Sequence, residues 1–155
     1  MTGIHWPPRF DPATAPVHVC NSLDIAAPPA LVWDLLIHAR AWPGFYANAS
    51  NIVIEGDRAA LGPATRFHWR SFGVNLTSTV EEFVPHHRIA WLAHGLGVEA
   101  YHAWLITPTA TGCTVLTEET QYGLLARAGA LLMPRRMHTQ HQNWLEGLAR
   151  EATAH

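Results

Sequence analysis

The sequence is poor in charged residues, and the charges it has nearly balance. Only 14% of the 155 residues are charged, and the formal net charge is −2. Nucleic-acid-binding domains usually carry a basic patch or a high pI, so we expect no nucleic-acid partner. Arg127, Arg135 and Arg136 do cluster, but three arginines on a helix are interpreted as its solvated side.

Long apolar runs and cysteines are also lacking. No run reaches the roughly 18 uncharged residues needed to cross a bilayer, and the N-terminal residues Met-Thr-Gly-Ile-His-Trp-Pro-Pro contain no signal-peptide core. We therefore expect a cytoplasmic protein with no membrane insertion. In a reducing compartment, the two cysteines Cys20 and Cys113 are interpreted as buried free thiols.

The chain is rich in apolar residues, which make up 48% of it. A chain of this length buries roughly two-thirds of its unfolded surface, so one domain is predicted, over residues 16–152. Residues 1–15 contain three prolines and no periodicity. They are predicted to form an irregular arm that lies on the surface or is disordered.

The clearest periodicity lies in the C-terminal run from Leu124 to Ala152. It predicts one long helix that contains a proline, Pro134, within it. At about 100° per residue, the apolar face contains Met137, His141, Trp144, Leu148 and Ala152. The opposite face contains Arg135, Arg136, Thr139, Asn143, Glu146 and Arg150. His141 therefore lies within the apolar stripe rather than on the charged side.

The rest of the chain predicts a sheet and two short helices. Residues 16–25 alternate as a half-buried strand, a short helix follows Pro28-Pro29, and a brief helical turn includes Trp42-Pro43. Six further strands are predicted at 51–55, 64–71, 74–84, 88–93, 98–107 and 113–121. Their short connections require antiparallel pairing. Only the C-terminal helix is long enough to cover the apolar face of this sheet, which leaves a cavity between them.

Several local patterns carry a family resemblance over about residues 16–152: Ile25-Ala26-Ala27-Pro28-Pro29 with Val32-Trp33 and Trp42-Pro43; Gly62 to Trp69; Val80 to Pro85 leading to Arg88-Ile89-Ala90-Trp91; and His102-Ala103-Trp104 before Gly112 to Val115. Together they resemble the SRPBCC superfamily, also called START-like or Bet v 1-like, and within it the polyketide cyclase/dehydrase and lipid-transport group. The resemblance implies an α+β helix-grip fold. In this fold a seven-stranded antiparallel sheet wraps around a long C-terminal helix, and two short helices follow the first strand.

The same resemblance implies a deep hydrophobic cavity, which different members use for lipids, polyketides, quinones or hormones. Strand alternation predicts that the His102 side chain points into this cavity. On the last strand either Glu118 or Glu119 faces inward, and the family pattern favours the set that contains Val115, Thr117 and Glu119. The cavity-lining residues are then predicted to be Trp69, Leu76, Ser78, Trp91, Trp104, Thr117, Met137 and Trp144.

Three of the inward residues carry the catalytic hypothesis, namely His102, Glu119 and His141. We expect burial and the partner charge to move the pKa values of a buried carboxylate and imidazole toward neutrality, as in general acid–base catalysis. For an aldol-type cyclisation or dehydration, one group removes a proton beside a carbonyl and another polarises its oxygen. The plainer interpretation of each histidine is a core residue with one hydrogen-bond partner.

A metal site is a weaker hypothesis. His138 and His141 lie three residues apart, and with His102 and a carboxylate they have ligand types that suit zinc. His138, however, falls about 60° around the helix from His141, and no His-Glu-x-x-His motif is present. We therefore predict neither a metal nor a cofactor.

The predicted function is the binding of a hydrophobic or aromatic small molecule in an internal cavity, with cyclase or dehydratase activity as its enzymatic form. The alternative is a non-catalytic carrier or sensor for a lipid, quinone or similar ligand. A partner-regulated module is a third interpretation, but the sequence marks no flat apolar patch for it. A homodimer is left open.

Overall fold

One seven-stranded sheet and three α-helices make up the fold in this computed structural model, which describes residues 3–154. The first two residues of the predicted arm and His155 lie outside the described residues. The elements in chain order are β1 (Val17–Ile25), α1 (Pro29–Ile37), β2 (Ala49–Ile54), β3 (Arg66–Ser71), β4 (Val74–Val84), β5 (Arg88–Gly95), β6 (Val98–Thr109), β7 (Gly112–Tyr122), α2 (Leu124–Leu132) and α3 (Arg136–Thr153). Short 3₁₀ helices span Pro8–Phe10, Ala39–Gly44 and Glu55–Asp57.

The sheet is antiparallel throughout, with the strand order β1-β7-β6-β5-β4-β3-β2. The six-strand meander follows from the short turns, and β1 joins it at the edge beside β7. Side chains alternate between the two faces, as the buried-exposed pattern of β1 shows. The predicted α+β helix-grip fold is confirmed, including the helical segments between β1 and β2.

The C-terminal run differs from the single helix that the sequence predicts, because it forms α2 and α3. Pro134 has no backbone N–H and disfavours a helical conformation at Met133, whose φ and ψ are −136° and 68°. Of these two helices, α3 is the one that packs its apolar stripe against the inner face of the sheet. Its buried residues include His141, Trp144, Leu145, Leu148 and Ala152. Asn21 of β1 fixes α3 in place, since its side-chain amide donates to the carbonyl of His138 at 3.0 Å.

The outer face of the sheet is covered by the N-terminal segment. Phe10 is buried there beside Tyr101, Ala90 and Ala103, with Ile4 and Trp6 at the margin of the cluster. The hydroxyl of Thr120 on β7 donates to the carbonyl of Phe10 at 2.8 Å. The arm therefore packs on β5, β6 and β7, on the side of the sheet opposite α3.

Both cysteines are free, but only Cys113 is buried. The interpretation of Cys20 as a buried thiol was wrong. Cys20 alternates with Val19 and Asn21 on β1, so its side chain lies on the exposed face.

Among the described residues, no helix combines the length and the apolar character needed to cross a membrane.

A pair of helical glycines gives a matched test of the packing between α3 and the segment before β2. An added Cβ at Gly147 would lie 2.2 Å from the carbonyl oxygen of Phe45, whereas one at Gly129 would meet nothing within 4 Å. We expect Gly147→Ala to lower the free energy of unfolding by about 1–3 kcal/mol through overpacking. Gly129→Ala should raise it by up to about 1 kcal/mol through helix propensity. Urea unfolding measures both, and a change of the same sign in the two variants would contradict this packing.

Candidate functional site

A cavity of about 420 Å³ lies between the inner face of the sheet and helices α2 and α3. This volume falls within the range of small-molecule sites, roughly 300–1,000 Å³. The predicted residues Trp69, Leu76, Trp91, Met137 and Trp144 line it. Further lining residues include Tyr46, Ser71, Ala93, Ala100, His102, Glu119, Gln121, Ala126, Ala130, Met133 and His141.

Three predicted lining residues, Ser78, Trp104 and Thr117, do not line the cavity and lie behind its wall. Each is almost completely buried. The hydroxyl of Ser78 accepts a hydrogen bond from the Trp69 indole at 3.0 Å. Strand alternation correctly predicted that these side chains point inward, but it carries no information on depth. Large rings in front of them separate them from the cavity.

Aromatic rings fill the closed end of the space between the sheet and α3. Trp144 is the centre of this nest, with ring centroids 4.9 Å from Trp42, 4.9 Å from Trp104 and 4.3 Å from Tyr46. The two tryptophan contacts are T-shaped and the tyrosine contact is stacked, both favoured arrangements of aromatic pairs. The cavity therefore has one rigid aromatic wall.

The three residues of the catalytic hypothesis lie together at this wall. The register of β6 and β7 pairs His102 with Glu119, and His102 Nδ1 lies 3.0 Å from Glu119 Oε1. The ring of His141, which α3 supplies, stacks on the ring of His102 at 4.7 Å and 14°. Glu118 points to the other face, where its carboxylate lies 2.7 Å from His18 Nε2. Glu119 is therefore the carboxylate that faces the cavity.

Hydrogen bonds fix the orientation of this cluster. An ionised carboxylate only accepts hydrogen bonds, so His102 Nδ1–H donates to Glu119. The amide of Gln121 donates to the other carboxylate oxygen at 2.6 Å. His102 Nε2 shares a hydrogen bond with the Thr117 hydroxyl at 2.7 Å. By contrast, His141 Nδ1 is buried without a hydrogen-bond partner among the described residues.

Burial and neighbouring charges move the pKa values of this cluster away from neutrality. Burial by itself would raise the pKa of Glu119, but the charge and hydrogen bond of His102, helped by His141 and Gln121, lower it to about 2. Burial lowers the pKa of His141 to about 3, against the opposing effect of Glu119. The expectation that both pKa values approach neutrality was wrong. At pH 7 the site holds an ionised carboxylate beside a neutral imidazole on α3.

These two pKa values predict that the protein loses stability in acid. Both values lie below those of the unfolded chain, so the stabilisation is present above the unfolded pKa and disappears as the pH falls. Between pH 6.5 and 4.5 the contribution from His141 should fall by about 1.4 kcal/mol per pH unit. Below pH 4.5 Glu119 adds to the loss, because its carboxylate takes up a proton in the unfolded chain but stays ionised in the folded protein down to about pH 2.

The variant His141→Phe tests whether His141 causes this acid sensitivity, because phenylalanine keeps a ring in the stack and cannot bind a proton. It also removes a buried nitrogen that has no hydrogen-bond partner within residues 3–154, so we expect little loss of stability at pH 7. Urea unfolding at pH 7 and pH 5 should show a drop of about 2 kcal/mol for the wild type and a much smaller one for His141→Phe. Equal drops in the two proteins would assign the acid sensitivity to other groups.

Tyr46 is a cavity residue that the sequence analysis missed. Its hydroxyl accepts a hydrogen bond from the Asn48 amide at 2.9 Å, and burial raises its pKa above the ordinary value. The sequence marked this segment only as a helical turn after Trp42-Pro43. No periodicity indicates which side chain of such a turn enters a cavity, so the sequence contained no usable signal.

His102, Glu119 and His141 also bring together the donor types of a metal site. One ligand atom from each lies within 4.8 Å of the other two, and two histidines with a carboxylate suit zinc. A metal about 2.0–2.1 Å from a histidine nitrogen lies close to the plane of that ring, and these two rings are nearly parallel and 4.7 Å apart. Binding through both nitrogens would require one ring to rotate, so the observed arrangement fits hydrogen bonding better than metal coordination. His138, part of the weaker hypothesis, is exposed.

A sheet that grips a helix over an apolar cavity defines a helix-grip domain. The chain belongs to the polyketide cyclase/dehydrase and lipid transport family, whose sequence profile matches residues 16–153. This confirms the resemblance seen in the sequence. No curated protein sequence matches the chain significantly.

Solved structures agree with this assignment. The chain is similar to a hypothetical protein from Helicobacter pylori, with 31% identity, a TM-score of 0.91, and coverage of 98% of this chain and 97% of that one. It shares its fold with a START superfamily protein from Mycobacterium smegmatis, at 12% identity, a TM-score of 0.72, and 88% and 97% coverage. The Zhui aromatase/cyclase from a Streptomyces species also has this fold, at 16% identity, a TM-score of 0.71, and 88% and 93% coverage. At these lower identities the likeness shows the fold alone.

Proposed function

We propose that the protein binds a hydrophobic, largely aromatic small molecule in the cavity between the sheet and α3. The observation that carries this proposal is an apolar cavity of about 420 Å³ with tryptophan walls and a buried polar cluster at one side. Binding sites of this kind obtain affinity from apolar walls and orientation from a few convergent polar groups. Trp69, Trp91 and Trp144 supply the walls. Glu119, which accepts hydrogen bonds, and the Tyr46 hydroxyl supply the polar contacts.

Acid–base chemistry on the bound molecule is our second candidate. Two observations support it: Glu119 and His102 are hydrogen-bonded beside the cavity, and neighbours of the same fold include an aromatase/cyclase. The low pKa of Glu119 makes it a weak base when it acts alone. Proton abstraction would therefore depend on His102, through a rearrangement of its hydrogen bonds with Thr117 and Glu119. A carrier needs none of this, only shape and one or two orienting bonds.

Native mass spectrometry of freshly purified protein, combined with titration of an apolar fluorescent dye, tests the binding proposal. We expect a co-purified small molecule or saturable dye binding, with quenching of tryptophan fluorescence because three indoles line the cavity. Ala100→Leu places a larger side chain on the cavity wall and should weaken dye binding at least about tenfold. Its control is Ala110→Leu, in an exposed turn between β6 and β7. An empty protein that binds no dye would contradict the proposal.

A further inference from the structure

One side of the cavity mouth, formed by α2 and its flanking residues, carries exposed apolar side chains. Among the described residues, most large apolar side chains with high exposure belong to this one region, which we call the mouth patch: Leu96, Leu124, Leu125, Leu131, Leu132 and Met133. Leu124 and Leu131 are 85% and 81% exposed. Contiguous exposed apolar surfaces of this kind mark interaction sites. The sequence alone marked no flat apolar patch.

The faces of helix α2 are reversed relative to an ordinary surface helix, because small residues face the interior and large apolar residues are exposed. Its small residues Ala126, Gly129 and Ala130 line the cavity, whereas its four leucines are 47–85% exposed. Leu125 and Leu132 also border the cavity. A surface helix normally turns its large apolar residues toward the core. The backbone N–H of Leu125 donates to the carbonyl of Gly97 at 2.9 Å. This bond holds the turn that carries Leu96 beside the first turn of α2, so the patch extends over two elements.

The charge along α2 and the first half of α3 has one sign. Residues 120–145 include Arg127, Arg135 and Arg136 but no aspartate or glutamate, so all twelve acidic residues of the chain lie elsewhere. The three arginines are exposed, and the Arg136 guanidinium lies over the Phe72 ring at 5.0 Å. An apolar helical surface with arginines beside it is the pattern of helices that lie in a membrane interface.

We propose that the mouth patch docks on the surface of an anionic lipid bilayer, with the leucines in the interface and the arginines at the lipid headgroups. This goes beyond ligand binding, since it places the cavity entrance against a membrane. A second copy fits less well, because a two-fold contact would bring the same three arginines of each copy together. A protein partner would also use the arginines, but it fits less well because hot spots of protein interfaces rely on tryptophan and tyrosine and use leucine less. The mouth patch contains leucine and methionine but no aromatic residue.

Flotation of the full chain with lipid vesicles tests this docking. We expect the wild type to float with vesicles of phosphatidylcholine and phosphatidylglycerol at low salt, to bind pure phosphatidylcholine much less, and to be released by added salt. Removing two arginines in Arg127→Gln/Arg135→Gln should lower partitioning roughly 10- to 30-fold. Leu124→Ser/Leu131→Ser should lower it at least as much.

Two control variants match these changes away from the mouth. Arg40→Gln/Arg150→Gln removes the same charge, and Val53→Ser/Val84→Ser removes two exposed apolar side chains; both should bind vesicles like the wild type. Dye binding without vesicles should be unchanged in all four double variants, which separates a failure of docking from a failure of the cavity. No flotation, equal flotation with neutral vesicles, or equal losses in the controls would overturn the proposal. A dimer that Leu124→Ser/Leu131→Ser dissociates, in a protein that binds no vesicles, would assign the patch to a second copy.

Discussion

Trp144→Ala should lower the free energy of unfolding by about 3–5 kcal/mol, the largest stability effect that we expect from a single substitution. Trp144 is 1% exposed and contacts rings from the segment before β2, from β3, β5 and β6. Truncation would leave a cavity where α3 meets the sheet. Because domains of this size are stable by only about 5–15 kcal/mol, a large part of the total would be lost. Urea unfolding monitored by circular dichroism measures the change.

Trp6→Ala is the matched control, because Trp6 belongs to the smaller cluster on the outer face and is only partly buried. We expect it to cost less than half as much as Trp144→Ala. If Trp144→Ala does not fold, Trp144→Phe keeps one ring and should still cost at least as much stability as Trp6→Ala. Equal losses at Trp6 and Trp144 would mean that the nest around α3 does not dominate the stability.

Glu119→Gln should produce the largest effect on chemistry, if the second functional candidate is correct. The substitution keeps the shape of the side chain and removes the charge that holds the His102 Nδ1–H in place. We expect turnover of a linear aryl 1,3-diketone in an aldol cyclisation assay to fall by about 10²–10⁴-fold. Dye binding should change much less, because the tryptophan walls remain.

Glu118→Gln is the control for this experiment. Glu118 is the adjacent residue on the same strand but pairs with His18 on the other face, so its substitution should leave turnover unchanged. A wild type without turnover, or equal losses in the two variants, would reject the acid–base candidate. In either case ligand binding would stand as the proposed function.

The fold was largely predictable because its signals are local. Alternation on the strands and the short turns between them determine an antiparallel meander, and the inward direction of His102 follows from the period of two. The choice between Glu118 and Glu119 needed the register of β7, which the alternation of Val115 and Leu116 left ambiguous. The family pattern favoured Glu119, and the pairing with His102 in the structure agrees.

Features that depend on distance or depth were not predictable from the sequence. Ser78 and Thr117 point inward as predicted, yet larger rings separate them from the cavity. The pKa of Glu119 depends on a 3.0 Å contact with His102 and a hydrogen bond from Gln121, which periodicity does not specify. The break between α2 and α3 also depends on the backbone conformation of Met133 beside Pro134, which helical periodicity does not specify.

That break also separates the stability of the entrance from the stability of the core. Among its residues α2 buries only Ala126, whereas α3 buries six residues, including Trp144 and Leu148. Segments that bury little apolar surface open at low free energy without global unfolding. Backbone amides of α2 should therefore exchange hydrogen with solvent much faster than those of α3. A ligand can then enter or leave by local opening of one short helix while the tryptophan nest stays packed.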